Sequence, residues 1–256
     1  MKEGFIFEEL TNLTDTPKEA KCPKRGIQTI MAKFIDFEID KKQIRLFKND
    51  NENVPIVYAN MFQDAGHEVL EACEKLGCSP FHLVAITNLR WNEELLPWPH
   101  EPVITKSDRF TGEATSYAHC LTKDIIPHVE KTMKKPPLRI IAGYSMGGLF
   151  ALYAPYITDA FLSVVSASGS VWYPNFVSYV KEHDFLRKPE SIYLSIGDLE
   201  SRTKDPFFSQ TEHCTKELHS IYQRKAVESI FELNPGNHYK DAPYRLAKGI
   251  AWTLES

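Results

Sequence analysis

Short apolar runs alternate along the chain with longer stretches whose apolar residues return every third or fourth position. Residues 27–36 and 43–47 carry β-branched and aromatic side chains in rough alternation on either side of the polar turn Asp40-Lys41-Lys42, which predicts an antiparallel hairpin. Val54-Pro55-Ile56-Val57-Tyr58 and Phe81-His82-Leu83-Val84-Ala85-Ile86 are nearly continuous apolar runs, the pattern of strands covered on both faces. Between them Val69, Leu70, Cys73 and Leu76 share one side of a helix over 66–76, with Gly77 at the left-handed cap position.

A second unit follows. Residues 113–133 form a long amphipathic helix in which Pro127 marks a kink or a new first turn, and Leu138 to Ala142 is another buried strand. Beyond it the pattern predicts helices at 146–156, near 209–224 and near 241–254, and strands at 161–165, 191–196 and 227–233. Strands alternating with helices predict an α/β architecture: one domain over 1–256, with a mostly parallel sheet, an N-terminal antiparallel hairpin and helices on both faces. Ligands bind such sheets at the carboxyl ends of the strands.

Composition narrows the partners. With 256 residues the chain can bury roughly 70–75% of its unfolded surface, so neither disulfides nor a metal is needed for a core. The 30 basic and 34 acidic residues are interspersed, which argues against nucleic acid. Cys22, Cys73, Cys78, Cys120 and Cys214 are scattered without a C-x-x-C, as expected of reduced thiols in a cytoplasmic protein and against a zinc site. Glutamates interrupt the first ten residues where a signal peptide would be apolar, and no stretch is apolar enough to span a membrane, so no membrane partner is expected.

The strand 138–142 runs into Gly143-Tyr144-Ser145-Met146-Gly147 and then a helix, a G-x-S-x-G turn in strand-to-helix context. Such a turn projects Ser145 from the sheet edge, needs glycines where strand and helix approach, and aims the free amides of the helix start at the space beside the hydroxyl. A serine nucleophile needs a base later in the chain. Among nine histidines, His238 alone ends a Pro-Gly-Asn loop at a strand's carboxyl end, before the last helix. The acid that should orient it is Asp198 or Glu200, both after the strand 191–196. The oxyanion donors expected are the Met146 amide and one from the loop after strand 81–86, Asn88 or Leu89, with Leu89 preferred. Trp91, Trp98, Tyr144, Trp172 and Tyr173 fall near strand ends, where they line a mouth or pack as core. Arg90 either meets an anionic substrate or pairs with Glu93 or Glu94.

These segments together, with Ser168-Gly169-Ser170-Val171-Trp172 and Gly236-Asn237-His238, resemble the Putative esterase family of α/β-hydrolases, nearest its enterochelin-esterase-like branch, over roughly residues 27–256. The resemblance implies hydrolysis of carboxylic esters through an acyl-enzyme, with no cofactor and no metal. It also implies Glu200 as the acid, since the family's acid commonly stands three residues after the glycine ending its strand. A small-molecule ester, siderophore-like or a simple acyl ester, is the expected substrate. Acyl transfer on the same residues and a non-catalytic binding role are the alternatives, and the oligomeric state is left open.

Overall fold

The computed structural model describes residues 34–63, 65–103, 109–131 and 133–256, and these described residues fall in one compact unit. The part of the single-domain expectation that covers 1–33, with the start of the strand at 27–36, lies outside the described residues.

An antiparallel hairpin forms, with β1 (Phe34–Ile39) running three residues past the end expected at 36 and β2 (Lys42–Phe47) taking in Lys42, which was expected in the turn; two residues join them. Asp40 and Lys41 both take positive φ, 49° and 64°, the turn whose twist matches that of the flanking strands. Asp36 faces Arg45 in the register and accepts its guanidinium at 2.7 and 2.8 Å. Strands β3 (Ile56–Asn60), β4 (His82–Thr87), β5 (Arg139–Tyr144), β6 (Ser163–Ala167), β7 (Ser191–Gly197) and β8 (Glu228–Asn234) complete an eight-stranded sheet. Its order is β1-β2-β4-β3-β5-β6-β7-β8. Pairing is antiparallel as far as β2–β4 and parallel from β4 onward.

Because side chains alternate across a strand, each central strand feeds two cores. Tyr58, Val84, Ile141, Val164 and Ile192 pack with Tyr117, Leu121, Ile125, Leu149, Phe150 and Leu218 on one face. On the other lie α1 (His67–Leu76) and α8 (Ala242–Glu255), in contact with one another. Gly249 brings α8 down onto Val165 and Tyr193, whose side chains a Cβ there would meet at 2.4 and 2.6 Å.

The stretch expected as one helix over 113–133 is three pieces: α3 (Ala114–Cys120), a wide π turn (Leu121–Ile125) and α4 (Ile126–Glu130), with Pro127 in the first turn of α4. The widened turn relieves the clash of a proline ring with the carbonyl four residues back. The pattern did not predict α2 (Trp91–Glu94) or α6 (Phe176–Glu182); α5 (Met146–Ile157) and α7 (Thr211–Arg224) lie where it placed helices. Among the described residues no helix is long and apolar enough to cross a membrane.

Candidate active site

Ser145 stands between β5 and α5 with φ 55° and ψ −122°, a conformation L-residues avoid. Hydrogen bonds hold it there. Its amide donates to Ala167 O at 3.2 Å, and its carbonyl accepts from Ser170 N and Leu149 N, each at 3.0 Å. The turn is as crowded as the motif requires, since a Cβ on Gly143 would stand 2.2 Å from the Gly147 carbonyl oxygen. A second close approach has no signature in the motif: a Cβ on Gly148 would meet Gly169 Cα at 2.9 Å. The first helical bond runs from Leu149 N to Ser145 O, so the Met146, Gly147 and Gly148 amides open the helix with no acceptor within it, a favourable place for developing negative charge. The Ser145 hydroxyl lies 3.3 Å from Ser170 Oγ, and among the described residues no hydrogen bond joins it to His238.

The loops after β7 and β8 are tied together. Asp198 N donates to Asn234 O at 2.8 Å and Leu199 N to Gly236 O at 3.1 Å. The Asp198 carboxylate accepts from Gly236 N at 2.7 Å. That leaves Glu200 for the histidine: its Oε2 is 2.8 Å from His238 Nδ1. The other oxygen, Oε1, accepts from Gly197 N at 2.6 Å, Ser168 Oγ at 2.7 Å and Arg245 Nη1 at 3.1 Å. The Glu200 side chain is 4% exposed and that of His238 31%. Burial pushes the Glu200 carboxyl up, but the hydrogen bond and charge of His238, with the Ser168 and Gly197 donors, outweigh it and hold the group below the usual carboxylate range. With Nδ1 facing a carboxylate, the proton belongs on Nδ1 and the lone pair on Nε2. Tyr144 Oη donates to His238 O at 2.7 Å. Arg245 was not among the residues the sequence singled out; its signal is an arginine beside Leu246 and Ala247 on the buried side of an amphipathic helix.

The sheet order places the loop expected to give the second amide donor, Asn88 and Leu89, away from the Ser145 turn. On one side β5 pairs with β6 and on the other with β3, where Asn60 lies opposite Gly143. Strand β4, which leads to Asn88 and Leu89, lies one strand further out, and the Asn88 side chain donates to Lys41 O in the hairpin turn at 2.6 Å. The segment after β3 is the nearer one, as a Cβ on Gly147 would stand 3.1 Å from Asn60 O. Met61 N is used by Ile86 O at 2.9 Å, which makes Phe62 the first amide there with no acceptor among the described residues.

The aromatic residues divide. Trp91 reaches within 3.3 Å of a Gly147 Cβ position and meets exposed Phe62 edge-on at 5.3 Å. The Tyr144 ring lies 5.4 Å from that of His238, and Trp172 packs on Phe207 and Phe208. Trp172 and Tyr173 belong to the buried core and half-buried Trp98 packs against it: Trp98 Nε1 donates to Pro174 O at 3.0 Å, and Tyr173 Oη to Trp98 O at 2.6 Å. Arg90 pairs with Glu93, Glu94 and Glu113 together, which uses it structurally. Among the described residues no cluster of His, Cys, Asp or Glu gathers that could hold a metal ion.

The Putative esterase family matches residues 99–245, a span that includes Ser145, Glu200, His238 and Arg245. Protein YbbA of Bacillus subtilis (strain 168), itself uncharacterised, is 26% identical over 190 residues, 70% of this chain and 75% of that one. Among solved structures, an IroE-like serine hydrolase from Shewanella oneidensis superposes with a TM-score of 0.72 at 15% identity, covering 87% of this chain and 80% of that one. Siderophore hydrolase EstA from Aspergillus nidulans gives 0.67 at 18% identity, covering 87% and 94%. The chain belongs to the Putative esterase family and is an ester-hydrolysing enzyme of the α/β-hydrolase fold.

Proposed function

We propose that Ser145, His238 and Glu200 form a catalytic triad that hydrolyses small carboxylic esters through an acyl-enzyme. The 2.8 Å contact between Glu200 and His238 at the strand ends beside the strained Ser145 turn carries this reading. On substrate binding the Ser145 hydroxyl turns from Ser170 toward His238 Nε2, which takes its proton as Oγ bonds to the ester carbonyl carbon. Glu200 stabilises the imidazolium. The Met146 and Phe62 amides, rather than that of Leu89, receive the oxyanion. Collapse breaks the ester C–O bond, and the departing alcohol leaves with the proton from His238. Water then repeats the attack, giving its proton to His238 and releasing the carboxylic acid as Oγ recovers it.

The substrate class we favour is a siderophore-like or small acyl ester, a reading supported by the likeness to siderophore hydrolase EstA. Cytoplasmic residence goes with it, since Cys73, Cys78, Cys120 and Cys214 are free thiols suited to a reducing compartment. The test is kcat/KM on p-nitrophenyl esters of increasing acyl length, a feruloyl ester and a trilactone siderophore, for the wild type and Ser145→Ala. Turnover is expected to fall by roughly 10⁴-fold or more in the variant. Wild-type-like hydrolysis by Ser145→Ala would overturn the proposal.

A further inference from the structure

Arg245 has no part in the steps above, yet it is 1% exposed and reaches the carboxyl ends of β5, β6, β7 and β8. Nη1 lies 3.1 Å from Glu200 Oε1 and 3.2 Å from both Ser168 Oγ and Tyr144 Oη, and Nη2 donates to Pro235 O at 3.0 Å. A buried Arg–Glu pair is a poor source of stability, because desolvation offsets the attraction. The arrangement of donors is more telling. Three of them, Ser168, Gly197 and Arg245, converge on Oε1 and leave Oε2 to His238 alone. Tyr144 Oη, which accepts from Arg245 Nη1, donates its own hydrogen bond to the His238 carbonyl, so the guanidinium reaches the histidine from two sides. Gly197 leaves the room: a Cβ there would stand 2.9 Å from both Nη atoms and 2.2 Å from Gly236 O.

We propose that Arg245 is a positioning residue that locks Glu200 and the His238 loop in register and shares the carboxylate's charge, so that the imidazole is held in the orientation in which it can take the serine proton. The inference rests on the triad proposed above. The groups facing His238 are Glu200 at Nδ1, the rings of Tyr144 and Tyr239, each at 5.4 Å, and the Arg245 charge behind Glu200. Without Arg245 the Glu200 charge acts undivided on the imidazolium. A lysine restores a charge but not the planar fork.

The experiment measures kcat and KM from pH 5 to 9 for Arg245→Met and Arg245→Lys, alone and with Glu200→Gln, per active site titrated with a fluorophosphonate. For Arg245→Met, kcat is expected to fall on the order of ten- to a hundredfold with KM little changed. The acid limb of its profile should move to higher pH. Lysine should return that limb toward the wild-type position without restoring kcat, and in the Glu200→Gln background the methionine should add little. A loss that only tracks fewer titratable sites, with the profile unmoved, would overturn the inference, as would an equal loss with Glu200→Gln. Should Arg245→Met not fold, Arg245→Lys decides, and wild-type kcat there overturns it. Full activity in Ser145→Ala would instead remove the triad itself.

Discussion

Glu200 and Asp198 lie two residues apart in one loop, and their partners separate them. Asp198 caps the Gly236 amide, a duty an asparagine oxygen can take over, whereas Glu200 meets the His238 imidazole. Glu200→Gln should therefore lower kcat/KM by roughly a hundredfold or more, through the wrong tautomer of the histidine. Asp198→Asn should stay within about threefold, since its lost charge leaves the hydrogen bond in place. Steady-state kinetics on one chromogenic ester checks both. The Glu200 carboxyl is also linked to stability, because its folded value lies below the ordinary 4.5. Its contribution is complete above that pH and is lost as pH falls through the lower folded value. Urea midpoints at pH 5 and pH 3 should thus differ less in Glu200→Gln than in the wild type.

At the scale of elements, two glycines test the reading of the turns. Gly77 ends α1 with φ 70° and open space around a Cβ, so Gly77→Ala should cost about 1 kcal/mol and leave kcat/KM untouched. Gly143 meets backbone at 2.2 Å, so Gly143→Ala should displace the Ser145 turn and abolish turnover, in soluble protein or through failure to fold. Both positions were legible from sequence, one as a helix stop and the other as the first glycine of the serine motif. The long helix was legible only as an envelope, because Pro127 breaks its hydrogen bonding without interrupting its apolar stripe. Helices α2 and α6 are too short to show a period.

Sheet order was the larger gap. Strands β3 and β4 are both apolar on both faces, and nothing in such a run says which one lies against β5. The loop amide read from sequence, that of Leu89, therefore gives way to Phe62 in the function we propose, while Ser145 and His238 were singled out by motif and loop position, without knowledge of strand order. Arg245 escaped for a related reason, since its acceptors come from loops distant in sequence.

Across the whole molecule, His82 adds a dependence on pH that is independent of the site. It is fully buried in β4, with Nδ1 accepting from Asn49 N at 3.0 Å, and burial holds its imidazole below the usual 6.5. The unfolded chain takes up that proton first, so this stability is complete above 6.5 and declines as pH falls toward the lower folded value. His82→Asn, which keeps an acceptor for Asn49, should flatten the change in urea midpoint between pH 7.5 and 5.5. The fold also brings segments far apart in the chain to one sheet edge, where Ser145 and the Glu200–His238 pair stand on separate strand ends. Whether they act as one unit is read most directly from the rate at which a fluorophosphonate forms a covalent adduct, located by peptide mass spectrometry. The account predicts a single adduct on Ser145, forming on the order of a hundredfold or more slower in His238→Gln. An adduct elsewhere, or the same rate in both proteins, would contradict it.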